Sequence, residues 1–323
     1  MAARRSLDDT LAALRALRGQ ELTAAQVAEL RKRIGDRSNL VVAAAATLVA
    51  ENALHDLAGE LEAAFDRFMV NPLKVDTLCR AKIAIVEALD RLEHQETGVY
   101  RKAATHVQLE PVWGGTEDSA PPLRAAALVA LARAEGVRSL PMLVDAMADP
   151  DRDARIAAAV ALGAVGSEAA GLVLRLKARL GDRDPDVLSE CLGGLLAVEA
   201  GENLPLVADY LDPANPFACE AAAMALGKSR LPEAFEPLAD CWRRAHSFEL
   251  KRHLLLALAI LRRPAALDLL AEIVATAEEP DSAAALSALG IYKDDPRLRD
   301  RIAGIVAERE SPTLQTAFRR AFR

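Results

Sequence analysis

Aromatic side chains are scarce in this chain, at 4% of 323 residues with only two Trp and three Tyr. A sheet-based core draws on aromatic and β-branched residues, so the deficit argues against a β fold. There is no basic excess either. Asp and Glu outnumber Lys and Arg by 47 to 40, for a formal charge of -7, and a protein that neutralises many phosphates needs the opposite balance. Long apolar runs are missing. The longest, Leu40 to Ala50, is interrupted by Thr47 and stopped by Glu51 and Asn52, too short to span a bilayer and suited to a buried helix. The charged stretch Met1 to Thr10 leads into no apolar segment of the kind a secretory signal carries. Cysteine is sparse as well. Cys79, Cys191, Cys219 and Cys241 are widely spaced and form no C-x-x-C pair, as expected for reduced, buried thiols of a cytoplasmic protein.

What is abundant is small apolar residues. Hydrophobic residues reach 52%, carried by Ala, Leu and Val, the composition of closely packed helices. From about residue 121 the sequence repeats itself. One copy opens with Asp149-Pro150-Asp151-Arg152-Asp153-Ala154-Arg155, continues through an Ala-rich helix to Leu162-Gly163, and returns through a second apolar stretch, Glu168 to Leu180. Equivalent positions fall at Arg124, Arg155, Glu190, Cys219, Arg252 and Ser282, a period of about 32 residues, within the range of stacked helical repeats.

Prolines punctuate the pattern. Asp149-Pro150, Asp184-Pro185, Asn215-Pro216 and Asp295-Pro296 each place a side-chain acceptor before a proline, as at an N-cap followed by the first helical residue. Leu140-Pro141, Leu204-Pro205, Leu231-Pro232 and Arg263-Pro264 mark second-helix starts in the same way. Thr23-Ala24-Ala25-Gln26 is a capping box. The expected fold is all-α, a solenoid of stacked antiparallel helical hairpins. It divides into an irregular helical part with degenerate repeats and a cap (1–110), a linker loop (111–120), regular repeats (121–308) and a C-terminal capping helix (309–323), since a solenoid needs atypical ends.

The run from Asp149 to Asp184 resembles the phycobilisome-lyase type of HEAT repeat, and the resemblance covers residues 121–308. It implies an α-solenoid. It further implies a structural ladder of Asp and Arg side chains along the stack, here Asp151, Arg155 and Asp186; the Arg is absent at Glu190 and Cys219. Such a fold says more about architecture than about activity.

The chemistry of an enzyme is hard to find. Metal-binding HEAT-like hydroxylases carry repeated His-Glu pairs, whereas His55, His94, His106, His246 and His253 are followed by Asp56, Gln95, Val107, Ser247 and Leu254. No nucleophile elbow or phosphate-binding glycine loop occurs, and Gly114-Gly115 has no lysine beside it. Neither a catalytic residue, a cofactor nor a metal is expected.

Three features suggest contact with a partner. The insertion Leu109 to Asp118 holds Trp113 beside glycines; the plainer reading is a linker whose Trp113 plugs a junction. Trp242, Arg243 and Arg244, with Lys251, Arg252, Arg262 and Arg263, form a locally basic zone, suited to an acidic partner segment or simply to the negative end of a helix dipole. Second-helix positions such as Asp209, Tyr210, Glu236 and Asp240 would line a mixed-charge face. The expected function is a monomeric, non-enzymatic protein-protein interaction scaffold in the cytoplasm, without membrane or nucleic-acid partners. Two alternatives are a bilin lyase-like or other HEAT-type enzyme and a HEAT-like DNA-binding or repair protein. A bilin-transfer assay and a salt-dependent DNA-binding assay separate them.

Overall fold

A computed structural model describes residues 2–323, with side chains from residue 7 onward. The chain forms two compact units, residues 1–165 and 166–323. The insertion around Trp113 therefore lies inside the first unit.

The first unit runs α1 (Ala2–Ala16), α2 (Ala24–Ile34), α3 (Asn39–Glu51), α4 (Ala58–Met69), the single turn α5 (Pro72–Val75), α6 (Arg80–Arg91) and α7 (Gly98–Ala104). A two-stranded hairpin follows, β1 (Leu109–Val112) and β2 (Gly115–Asp118), then α8 (Pro121–Glu135), α9 (Leu140–Ala146) and α10 (Arg152–Val165). Helices α3, α6, α8 and α10 pack in succession as one row, and α2, α4, α7 and α9 lie against them. The second unit contains α11 (Glu168–Leu180), α12 (Pro185–Val198), α13 (Ala200–Ala208), α14 (Pro216–Ser229) and α15 (Phe235–Arg244). It continues with α16 (Phe248–Leu261), α17 (Pro264–Thr276), α18 (Glu279–Leu289), α19 (Pro296–Glu308) and α20 (Pro312–Ala321). Here α12, α14, α16, α18 and α20 form the row. Each unit is an all-α solenoid.

The rows are built from the residues that repeat. Ala221, Ala222, Ala225 and Leu226 of α14 and Leu254, Ala257, Leu258 and Leu261 of α16 are buried. Small side chains let neighbouring backbones approach: a Cβ added at Gly227 would lie 2.6 Å from the Ala257 carbonyl oxygen. Repeats of this kind cannot bury both faces alone, and the neighbour supplies the missing surface.

Most caps read from the sequence form. Thr23 Oγ1 accepts from Gln26 N–H while the Gln26 side chain accepts from Thr23 N–H. Asp184, Asn215 and Asp295 accept from the first-turn N–H groups of α12, α14 and α19. Two starts differ. The carboxylate that caps α10 is Asp151, which accepts from Asp153 and Ala154 N–H, while Asp149 turns the chain by accepting from Asp151 N–H. Helix α13 begins at Ala200, so Pro205 sits inside it and not at its start. Near the start of α13 the Asn203 side-chain amide donates to the Leu195 and Glu199 carbonyls at 3.0 Å each, tying α13 to the end of α12.

Candidate functional site

Between Val70 and Ala120 the regular helical packing breaks, and the local polar groups explain how. Helix α6 carries Lys82, Ile85, Val86 and Leu89 on one face, all buried. A lysine in such a stripe must find partners, because an unpaired buried charge is costly. Lys82 Nζ donates to Gln108 Oε1 at 2.6 Å and lies 3.6 Å from Asp76 Oδ2, the Lys82 and Asp76 side chains both being fully buried. Asp76 also caps α6: its Oδ1 accepts from Ala81 N–H and from the Asn39 amide, its Oδ2 from Lys82 N–H.

Gln108 carries the network toward the hairpin. Its amide nitrogen donates to the Asp76 carbonyl at 2.8 Å and to Glu110 Oε1 at 2.7 Å. The same Glu110 oxygen accepts from Leu78 N–H at 2.5 Å and from Ser119 Oγ at 2.6 Å. Burial pushes the Glu110 carboxyl up, but these donors together outweigh it and hold the group below the ordinary range. Asp118 behaves alike. Burial raises it, while hydrogen bonds from Gln108 N–H, the Arg124 guanidinium and Ala120 N–H bring it below its usual value.

Arg124, only 4% exposed, completes the chain of contacts. It reaches Asp118 at 2.6 Å and grips Asp149 through Nε and Nη2 at 2.8 and 3.0 Å. This Asp–Arg–Asp contact joins the hairpin, α8 and the connection before α10, one repeat earlier than Arg155. Of the ladder residues expected from the sequence, Asp151 caps α10, and buried Arg155 donates to the Asp149 and Pro150 carbonyls. Asp186 donates its N–H to the Asp184 carboxylate.

The network fixes a strained loop and an exposed ribbon. Asn71, Leu78 and Cys79 adopt left-handed backbone, with φ of 54°, 60° and 53°, a conformation costing about 1–3 kcal/mol for each residue with a side chain. In the hairpin Leu109 pairs with Asp118 and Val112 with Gly115. The turn passes through Gly114 at φ +90°, which glycine alone accepts readily. Trp113 stands at the tip, 103% exposed. It plugs nothing, because the insertion is a β-ribbon projecting its turn into solvent and not a loop folded over a junction. Val70, Leu73, Leu78, Val107, Leu109 and Val112 are each at least 46% exposed. Val107 and Leu109 form a ridge between two hollows. One, of about 480 Å³, is lined by Asn71, Pro72, Leu73, Lys74 and Gln108; the other, of about 380 Å³, by Ala104, Met142, Asp145 and Asp149.

The second aromatic zone lies in the second unit and its cations are engaged. Arg243 pairs with Asp240 at 2.6 Å, Lys251 with Asp281 at 2.6 Å, and Arg252 with Glu249 at 2.8 Å. Arg244 donates to the Leu211 carbonyl, next to half-buried Tyr210, and Arg263 to the Arg230 carbonyl. Lys251 Nζ sits 5.7 Å from the Trp242 ring centre. The four cysteines are buried and free, Cys219 and Cys241 with their sulfurs 3.4 Å apart. Among the described residues no group of His, Cys, Asp and Glu is placed to hold a metal ion, and no helix is long and apolar enough to cross a membrane.

Sequence reasoning singles out the insertion around Trp113 and leaves out Asp76, Lys82 and Gln108 beneath it. The signal available is Lys82 itself, a charge at a core position of a helical stripe.

A family model described as HEAT repeats matches residues 114–175 and 173–259. Residues 114–259 thus carry HEAT repeats, within a chain whose two units are each an α-solenoid. Among solved structures it is similar to the complex of CpcE and CpcF of phycocyanin lyase from Nostoc sp. PCC7120, with 20% identity over 78% of this chain and 94% of that one and a TM-score of 0.37. It is also similar to human deoxyhypusine hydroxylase, at 18% identity over 82% and 97% of the two chains, TM-score 0.34. A third similarity is to Kap121p bound to Pho4p, at 13% identity over 90% of this chain and 41% of that one, TM-score 0.42. No curated protein matches the sequence.

Proposed function

We propose that the protein is a non-enzymatic scaffold that holds an extended, apolar segment of a protein partner against the Trp113 hairpin. The observation that carries this is the cluster of exposed apolar side chains, from Val70 through Leu78 and from Val107 through Trp113, mounted on a buried polar network. Exposed apolar groups gathered in one place mark interaction surfaces more often than scattered ones do.

An extended segment suits the ribbon. Ser119 N–H donates to the Gln108 carbonyl, so with the observed register Pro111 and Thr116 direct their backbone groups away from each other. Pro111 has no N–H and blunts β1 as an edge. Exposed Thr116 leaves β2 able to accept a further strand.

A photo-crosslinking residue placed at Thr116 in the full chain identifies the partner, and titration with that purified partner measures affinity. Trp113→Ala with Leu109→Ser should weaken binding at least tenfold while leaving the melting temperature unchanged. Undiminished affinity in that double variant would refute the proposal.

A further inference from the structure

Helix α11 is apolar on two opposite sides. Ala170, Leu174 and Ala178 are buried. Leu172, Leu176 and Leu180 are 62%, 61% and 76% exposed. At 3.6 residues per turn these three leucines fall within an arc of about 80° and span about 12 Å along the axis. A helix on a protein surface ordinarily turns its polar side outward, so a leucine row there lacks its covering.

The charges beside the row indicate what covers it. Arg175 and Arg179 flank the leucines on one side, both exposed, and among the described residues neither has an ion-pair partner. Glu168 occupies the same flank one turn from the N-terminus of the exposed row, where it favourably faces the helix dipole. The C-terminal two-thirds of the face is therefore cationic and apolar together. The helix is rigidly ended: Ser167 Oγ accepts from Ala170 N–H, and Gly181 closes it at φ +77°.

We propose that this face binds an amphipathic helix of a protein partner carrying leucine-like residues at i and i+4 with Glu or Asp along one border. A helix is the fitting occupant because α11 has spent its backbone groups internally and offers an extended peptide no edge. Its i, i+4 row can interdigitate with the corresponding row of another helix, while the acidic border meets Arg175 and Arg179. The site is separate from the hairpin and does not depend on the function proposed for it.

The test uses the full chain and a fluorescent, designed helical peptide with a leucine i, i+4 row bordered by glutamates, beside the same peptide with glutamine in place of glutamate. Binding of the glutamate peptide, weakened at least tenfold by Leu176→Ser, by the pair Arg175→Glu and Arg179→Glu, and by glutamine in the peptide, is the expected result. Trp113→Ala should leave it unchanged. Circular dichroism melts of each variant establish that the fold is retained, since the substituted groups are exposed. Equal binding of the two peptides, no binding, or self-association of the chain abolished by Leu176→Ser would each overturn the proposal.

Discussion

Replacing Gly227 by alanine tests the close helix approach on which the second unit is built. The new Cβ would stand 2.6 Å from the Ala257 carbonyl oxygen and 3.0 Å from its Cα, where ordinary contact begins near 3.4 Å. The obstacle is backbone, so no side chain can rotate aside, and α14 and α16 must separate by about 0.8 Å, the difference between 3.4 and 2.6 Å. Overpacking of this kind costs about 1–3 kcal/mol. Against it stands the gain of about 0.8–1 kcal/mol for alanine over glycine in a helix interior. With a rigid obstacle the upper part of the range applies, leaving a net loss of about 1–2 kcal/mol. Gly193, inside α12, provides the contrast: nothing lies within 4 Å of its added Cβ, so Gly193→Ala should stabilise by about 0.8–1 kcal/mol. Urea melts followed by circular dichroism compare the two variants, and amide hydrogen exchange locates the effect in α14 and α16, because a two-unit chain need not unfold in one step. A Gly227→Ala protein as stable as the parent would refute so close a packing of α14 on α16.

Other consequences follow from the polar network and the surfaces. Lys82→Met leaves Asp76 buried without its cation and should destabilise the first unit by about 3–5 kcal/mol, read as faster exchange at α6 and the hairpin. Asp118 and Glu110 are depressed in the folded state, so the unfolded chain binds protons first as pH falls. Their stabilisation is present above the ordinary carboxylate range and lost as pH drops through the lowered folded values, and Asp118→Asn should flatten the acid limb of a stability profile. Burial raises the Cys191 thiol to about 12 and the Cys79 thiol to about 11. With all four cysteines buried, a thiol-specific reagent should react with none in the native chain and with all four in denaturant. Trp113 should emit as a solvated indole and be quenched by acrylamide, and Trp113→Phe should leave the blue-shifted emission of half-buried Trp242.

The regular repeats are legible in the sequence because one physical demand recurs in them. Small residues must face small residues, and where an acceptor precedes a proline it marks a helix start, so Asp184, Asn215 and Asp295 can be named as caps from spacing alone. Pro205 misleads for a related reason: a proline is tolerated at a helix start, but here α13 already begins at Ala200. The hairpin reads only as an interruption. Its four-residue strands, rich in Glu, Pro and Gly, have no apolar alternation, because the ribbon has no core side to mark. The Asp76–Lys82–Gln108 network joins residues far apart in sequence, and no local pattern records such a meeting.

The distribution of costs separates the two parts of the first unit. Its row helices bury chiefly Ala, Leu and Val, with Lys82, Arg124 and Arg155 as buried cations held by polar partners. The segment from Asn71 to Ser119 holds four left-handed residues with side chains (Asn71, Leu78, Cys79 and Glu93), a fully buried ion pair and a wholly exposed tryptophan. Left-handed backbone costs about 1–3 kcal/mol per residue, and a buried pair gives little net gain over apolar packing of the same shape. A tryptophan in water contributes no burial at all. A shorter turn between α7 and α8 would have avoided the hairpin and its exposed tryptophan, so stability does not account for the insertion. Its rigidity does have a consequence for binding: a ridge already held in place by Gln108 and Glu110 loses little conformational entropy when a partner covers it, and more of the apolar contact survives as affinity.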